Sequence, residues 1–518
     1  MVAAIVLLQM LANRLRVAYP ILLVLAGLAV SFVPGLPRVH VDPDLIFFIF
    51  LPPLLFSAAW SISWKEMRRW YRIIGSFAFL VVFFTALSVA VVTSQFIPGF
   101  TLALGFLLGG IVSPPDAVST AAITNFVRIP KTLSAILEGE SLLNDASSLI
   151  IFRFALIAVG TGQFIWHEAA LDFAWTVSGG VGIGLALGWL FVQAHKRLPT
   201  DAMSDIALTL IEPYFMYWAA EQMHGSGVLA VVSGGLFMAN RQLLFLTSTS
   251  RVRGFSVWES FVFILNGIVF LLIGLELPDI VDGLRANGMP LSTAIGYGVL
   301  VTGVLVLARM ISAYAATVAT LIFRPSVAPR GRTPGQRWLL PLVLGWTGMR
   351  GVVSLAAALA IPVALGDGSA FPYRNLILFI TFVVILLTLV VQGLTLPVII
   401  RRSRIFAIVE PQDPADTLER RIRRGLREHT LRFLREHADR KLPEHEGVRD
   451  MLVHWEAKVE ATPTGPKTEP MRQVVFAMLE SQRQHLVEVN RDPAIDEEII
   501  RQELYLIDLE EERLRLKM

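Results

Sequence analysis

The chain has 518 residues, 54% hydrophobic and only 17% charged, with a mean hydropathy of +0.61 and a formal net charge of +3. Soluble domains carry about 25% charged residues, so a single soluble globule is excluded; the absence of cysteine further excludes disulfides, thiolate metal sites and cysteine nucleophiles. The charge is segregated: residues 401–518 hold 22 Lys/Arg and 24 Asp/Glu, against 23 and 18 in the first 400, so an apolar body precedes a charged but nearly neutral tail unsuited to nucleic acid.

The opening stretch, "MVAAIVLLQMLANRLR", lacks the basic n-region and small-residue cleavage site of a signal peptide. Its apolar part, residues 1–12, makes roughly 18 Å of helix against a hydrocarbon core of about 30 Å. Further apolar segments follow near 18–34, 44–60, 72–97, 100–125, 133–160, 172–194, 203–220, 226–240, 258–276, 291–322, 338–363 and 374–400, thirteen crossings in all. Loops after odd-numbered segments carry 17 Lys/Arg, from Arg14 to Arg337, while loops after even-numbered segments carry three, Arg38, Arg285 and Arg374. The positive-inside rule therefore places the odd loops and the tail in the cytoplasm. The expected fold is an all-α polytopic membrane protein of about 13 transmembrane helices over residues 1–404, with a helical, regulatory cytoplasmic tail over 405–518.

Two crossings are expected to break. In "LLGGIVSPPDAVSTAA", Gly109 and Gly110 precede Ser113, and the pair Pro114-Pro115 removes two backbone donors. In "LGWTGMRGVVSLAAALAIP", Gly345, Gly348 and Gly351 surround Arg350. Interruptions at corresponding places in two halves mark a secondary transporter with an inverted repeat, whose freed carbonyls and half-helix ends meet at the midplane.

Charges inside the crossings are few: Arg153, Arg309 and Arg350, with Asp116, Glu138, Glu140, Asp145, Glu212 and, near an end, Glu259. A charge at the bilayer centre costs about 2.5–3.5 kcal/mol on insertion scales, which makes such residues functional by default. Helical spacing stacks Ser141 under Asp145 and Glu140 under Asn144. Asp116 follows the first break. Two carboxylates, a hydroxyl and main-chain oxygens form a set that suits hard cations; so few carboxylates favour a monovalent ion. A carboxylate after proline can alternatively cap its half-helix. Arg350 is expected to compensate the carbonyls of a broken half-helix, Arg153 to snorkel and Glu212, before Pro213, to line a cavity without touching the ion. The nine histidines fall in loops or the tail, where solvated residues are the expectation.

"SPPDAV", then "GESLLNDA", then "GMRGVVSLAAALAIP" resemble the monovalent cation/proton antiporters, in particular the bacterial NhaP-type sodium/proton exchangers and their animal relatives. "FLPPLLFSAAW", "VWESFVFILNGIVFLLIGLELP" and "DEEIIRQELYLIDLEEERL" extend the resemblance along nearly the whole chain. It implies exchange of sodium, possibly potassium, for protons across the bacterial inner membrane by a homodimer that uses no cofactor. It implies that Asp145 carries cation or proton, that Ser141 and Asp116 are ligands beside Asn144, and that Glu140 pairs with Arg309. Two departures bear on selectivity: Pro115 stands where some members have threonine, and Ser57 where many have an acid. Members with two adjacent acids at 144–145 are the electrogenic ones, so Asn144 implies electroneutral exchange.

An intramembrane enzyme lacks its parts, because "WHEAAL" breaks His-Glu-x-x-His and no Gly-x-Ser-x-Gly occurs. A cation channel or ion sensor on the same scaffold remains the rival. Channels conduct through several weak sites in rings or filters, whereas one carboxylate-centred site between two broken helices favours exchange.

Overall fold

The computed structural model describes residues 1–403 except 16, 34–42, 63, 117–118, 120–130, 162–165, 287, 324–337 and 366–367, with scattered residues beyond 403. The chain divides into two compact units, Met1–Glu410 and Pro411–Met518. Of the second, only short pieces are described, among them helical stretches at 479–482 and 506–511.

Among the described residues of the first unit all regular structure is helical, apart from one isolated bridge between Ala364 and Ala370. In hydrocarbon no water is present to satisfy backbone groups, so a helix is the form an apolar segment can take alone. The helices are α1 (Val2–Leu15), α2 (Tyr19–Ser31), α3 (Pro43–Ser61), α4 (Trp64–Gly75), α5 (Val82–Phe96), α6 (Leu102–Val112), α7 (Lys131–Thr161), α8 (Trp166–Arg197), α9 (Ala202–Gln222) and α10 (Gly227–Ala239). They continue with α11 (Gln242–Phe245), α12 (Ser248–Leu275), α13 (Leu277–Ala286), α14 (Leu291–Phe323), α15 (Leu339–Trp346), α16 (Val352–Leu359), α17 (Arg374–Leu387) and α18 (Gly393–Ser403). Wide π-helical turns join α4 to α5 (Ser76–Val81) and α17 to α18 (Thr388–Gln392). Among the described residues, six helices are long and apolar enough to cross a membrane, and five shorter apolar ones accompany them. Exposed Leu7, Leu80, Trp189, Phe255 and Ile322 give the outer face its apolar character.

Several helix starts carry the expected caps. Thr101, Asp201, Ser226 and Thr247 each accept from the backbone N–H three residues on. Helix pairs approach through small residues, as expected where lipid offers no hydrophobic drive between helices. A Cβ on Gly109 would lie 2.6 Å from Ala86 O of α5. Gly27 of α2 and Gly274 of α12 leave equally little room for each other's backbone.

Two apolar clusters fill the interior. The larger draws on α2, α5, α6, α12 and α14–α18; the smaller joins α3, α8, α9 and α10. Helix α7 belongs to both, through Ile136 and Phe152 in one and Leu142, Ala146 and Ile150 in the other. The polar residues of its middle turns thus lie between two packed walls.

Two Pro-Pro pairs behave differently. Pro52 and Pro53 sit inside α3, which runs through them. Pro53 has no N–H to give Ile49 four residues back, and the Tyr214 hydroxyl of α9 donates to that carbonyl at 3.0 Å. Before Pro114-Pro115 the helix ends at Val112, and the chain from Ser113 to Asp116 is non-helical.

Candidate ion site

The second break lies between α15 and α16, where Thr347–Gly351 are non-helical. The two open segments meet: the Asp116 N–H donates to Met349 O at 2.7 Å. Gly351 is required here, because a Cβ would come within 3.0 Å of the Asp116 carboxylate.

Arg350 is fully buried and serves the carbonyls that both breaks release. Its Nε donates to Val112 O at 2.8 Å, its Nη2 to Ser113 O at 3.4 Å and its Nη1 to Gly348 O. Its own N–H is taken by Thr388 Oγ1 at 3.1 Å, inside the second π-helical turn. A single guanidinium, with five donors in a fixed fork, thus satisfies ends from two half-helices.

Helix α7 presents the remaining groups. Ser141 Oγ and Asn144 Nδ2 both donate to Pro115 O, at 3.3 and 3.4 Å. Asn144 Oδ1 is buried with no hydrogen-bond partner, as is Ser113 Oγ. Asp145 is 8% exposed and lies within electrostatic range of Asp116. The Asp116 carboxylate accepts the Ser119 N–H at 3.2 Å and its hydroxyl. Ser141 Oγ, Pro115 O and the Asp116 carboxylate thus gather at the crossing, and the Asp145 carboxylate lies within electrostatic range of Asp116.

One turn before Asn144, Glu140 is 1% exposed and forms a two-pronged pair with Arg309 of α14, at 2.6 and 3.0 Å. Glu138 is exposed and accepts from Ser134 at 2.6 Å; Arg153 and Glu259 are exposed. These three lie apart from the crossing groups.

Two features escaped the sequence. Tyr19 of α2 lies within electrostatic range of Asp116 and packs against Phe263 at 5.9 Å between ring centroids; no motif pointed to it. The expectation that the histidines are solvated fails at His195, which is 5% exposed near the end of α8 and bonded to Asp205 and Glu212. Glu212 is accordingly a partner of His195. The helix was expected to end at 194 and instead runs to Arg197, which brings the imidazole inside.

A family model described as sodium/hydrogen exchanger, transmembrane, matches residues 1–402. An uncharacterised Na+/H+ exchanger of Mycobacterium tuberculosis is 30% identical over 532 residues, covering 99% of this chain and 95% of that one. A sodium, potassium, lithium and rubidium/H+ antiporter of Bacillus pumilus is 32% identical, covering 77% and 61% respectively. The Na+/H+ antiporter ApNhaP of Aphanothece halophytica is 33% identical, covering 75% and 70%. The solved sodium/proton antiporter MjNhaP1 of Methanocaldococcus jannaschii superposes with a TM-score of 0.58 at 18% identity, over 77% of this chain and 96% of that one, and shares the fold. The chain therefore belongs to the sodium/hydrogen exchanger family, as a multi-pass membrane protein.

Proposed function

We propose that the protein exchanges a monovalent cation, sodium and also potassium, for a proton across the bacterial inner membrane, by alternating access and without net charge movement. The observation that carries this reading is the crossing of the two open segments beside Asp145, with Pro115 O shared by Ser141 and Asn144. Asp145 holds either a proton or a cation, because both need the same lone pairs. The cation is bound by Asp145, Asp116, Ser141 Oγ and Pro115 O, with Asn144 positioning the carbonyl and Glu140–Arg309 tying α7 to α14. Ser113, Pro114, Pro115 and Arg350 support the breaks. The pairing of two interrupted crossings supports about thirteen membrane helices arranged as an inverted repeat. The charge asymmetry of the loops supports a cytoplasmic, regulatory tail over residues 405–518. The protein works as a homodimer, as the resemblance implies, and the broad cation set of the Bacillus relative's name supports potassium beside sodium.

With Asn144 unable to titrate, one proton exchanges for one cation. Each net charge moved would feel about 2.3 kcal/mol per 100 mV, so exchange in proteoliposomes should be indifferent to an imposed potential. The experiment is proton-coupled uptake of sodium and of potassium, each measured with and without that potential. Cation flux with no compensating proton movement would overturn the reading, and voltage dependence would show that Asp116 or Glu212 also changes charge.

A further inference from the structure

A second buried cluster of ionisable groups lies on helices other than those of the crossing. His195 Nδ1 is 2.9 Å from Asp205 Oδ1 and Nε2 is 2.8 Å from Glu212 Oε1, with the three side chains 0%, 3% and 0% exposed. Asp205 also accepts the Thr200 hydroxyl at 2.7 Å and the Ser250 hydroxyl of α12 at 2.8 Å. Glu212 Oε2 is buried and has no partner.

The distances constrain the protons. A neutral imidazole has one N–H and one lone pair, yet both nitrogens face carboxylate oxygens. Both contacts are attractive only when a proton lies on each N···O line. The pair of protons makes either an imidazolium between two carboxylates or a neutral imidazole bonded to one protonated acid. Both distributions carry a net charge of −1. Loss of one proton leaves −2 and sets a nitrogen lone pair against a carboxylate oxygen in a dry site, which is costly. Asp205 has two hydroxyl donors and stays ionised, so the labile proton is the one between His195 Nε2 and Glu212.

No other charge competes for this position among the described side chains. Lys196 and Arg197 of α8, Asp201 of α9, Arg241 before α11, and Arg253 and Glu259 of α12 are exposed. Arg251 of α12 donates to Leu246 O, and Glu221, at the far end of α9, accepts the Gly227 N–H. The described side chains of α3 and α10 include no ionisable group. The imidazole packs on Phe245 at 5.1 Å. Phe245, Val192 and Met216 share one apolar cluster with Leu142 and Ala146, which flank Asn144-Asp145 on α7.

We propose that His195, Glu212 and Asp205 form a proton-binding site separate from Asp145, which clamps α8 to α9 when occupied, with Asp205 keeping the pair against Ser250 of α12, and loosens α8 from α9 as the pH rises, activating exchange. The activation half rests on the exchange reading above; the clamp does not. The clamp is therefore tested in Asp145→Asn protein, whose ion site is disabled. Glu212→Gln keeps the shape and gives Nε2 an amide donor, satisfying both contacts with no labile proton.

Stability from the clamp is present at low pH and lost on the alkaline side. Thermal unfolding of the Asp145→Asn protein should fall with rising pH, and adding Glu212→Gln should remove that fall while keeping the low-pH value. The same alkaline fall in both overturns the clamp. Should Glu212→Gln not fold, 15N-histidine spectra of the parent decide: the Nε2 shift of His195 moves across the alkaline transition, because the proton on the Nε2···Glu212 line is lost whichever atom held it, and an Nε2 shift that stays constant with pH overturns the proposal. With Asp145 intact, Glu212→Gln should exchange as the parent does at acid pH and fall about fivefold short at alkaline pH, the lower end of coupling between sites. An unchanged pH profile overturns the activation.

Discussion

Pro52-Pro53 and Pro114-Pro115 are the same dipeptide in the same apolar setting, and one leaves its helix intact while the other ends it. The difference lies in what takes over the orphaned carbonyls. At Ile49 one tyrosine hydroxyl suffices, and α3 continues. At Val112, Ser113 and Pro115 the acceptors are met by Arg350, Ser141 and Asn144, which come from two other elements. Where the helix runs through its prolines one hydroxyl from a neighbouring helix serves a carbonyl inside it, and where the helix stops, donors from two other elements serve the carbonyls around its open end.

Removing the donors at the open break should have the largest effect. Arg350→Ala strands three carbonyls in a dry interior, at roughly 1–3 kcal/mol each, so folded yield in detergent should collapse. Next, Asp145→Asn should leave folded protein in the membrane and abolish exchange; retained proton-coupled uptake would sink the proposed mechanism. Glu140→Gln and Arg309→Ala each break a buried two-pronged pair, at roughly 3–5 kcal/mol. Melting temperature should drop before cation affinity changes, and the reverse order would make Glu140 an ion ligand. Gly351→Ala pushes a methyl against Asp116 and should raise the cation concentration for half-maximal exchange, measured by titrating the cation, with smaller loss of stability. At the healed break, Tyr214→Phe removes one hydrogen bond, worth about 1 kcal/mol. It should lower the melting temperature slightly and leave exchange untouched.

The apolar segments map closely onto the helices because lipid leaves an apolar stretch few alternatives. Segment 133–160 is α7 and segment 291–322 is α14, each within two residues. The second break was legible from three glycines around one arginine. The extent of α12 was not: it starts at Ser248, ten residues before the apolar segment, because Thr247 caps a polar first turn. The acids of the middle of α7 stood out because hydrocarbon makes each charge conspicuous. Their partners did not, since Arg309 lies 169 positions away from Glu140 and only the resemblance linked them. His195 was hidden for the opposite reason: beside Lys196 and Arg197 it reads as a solvated helix end.

Much of the crossing is built from main-chain oxygen, with Val112, Ser113, Pro115, Gly348 and Met349 all accepting through their carbonyls. A carbonyl survives every side-chain replacement. A mutational scan of this protein would therefore register the side-chain groups Asp145, Asp116 and Ser141 directly, but would see the carbonyls of Val112, Ser113 and Met349 only through the residues that aim them.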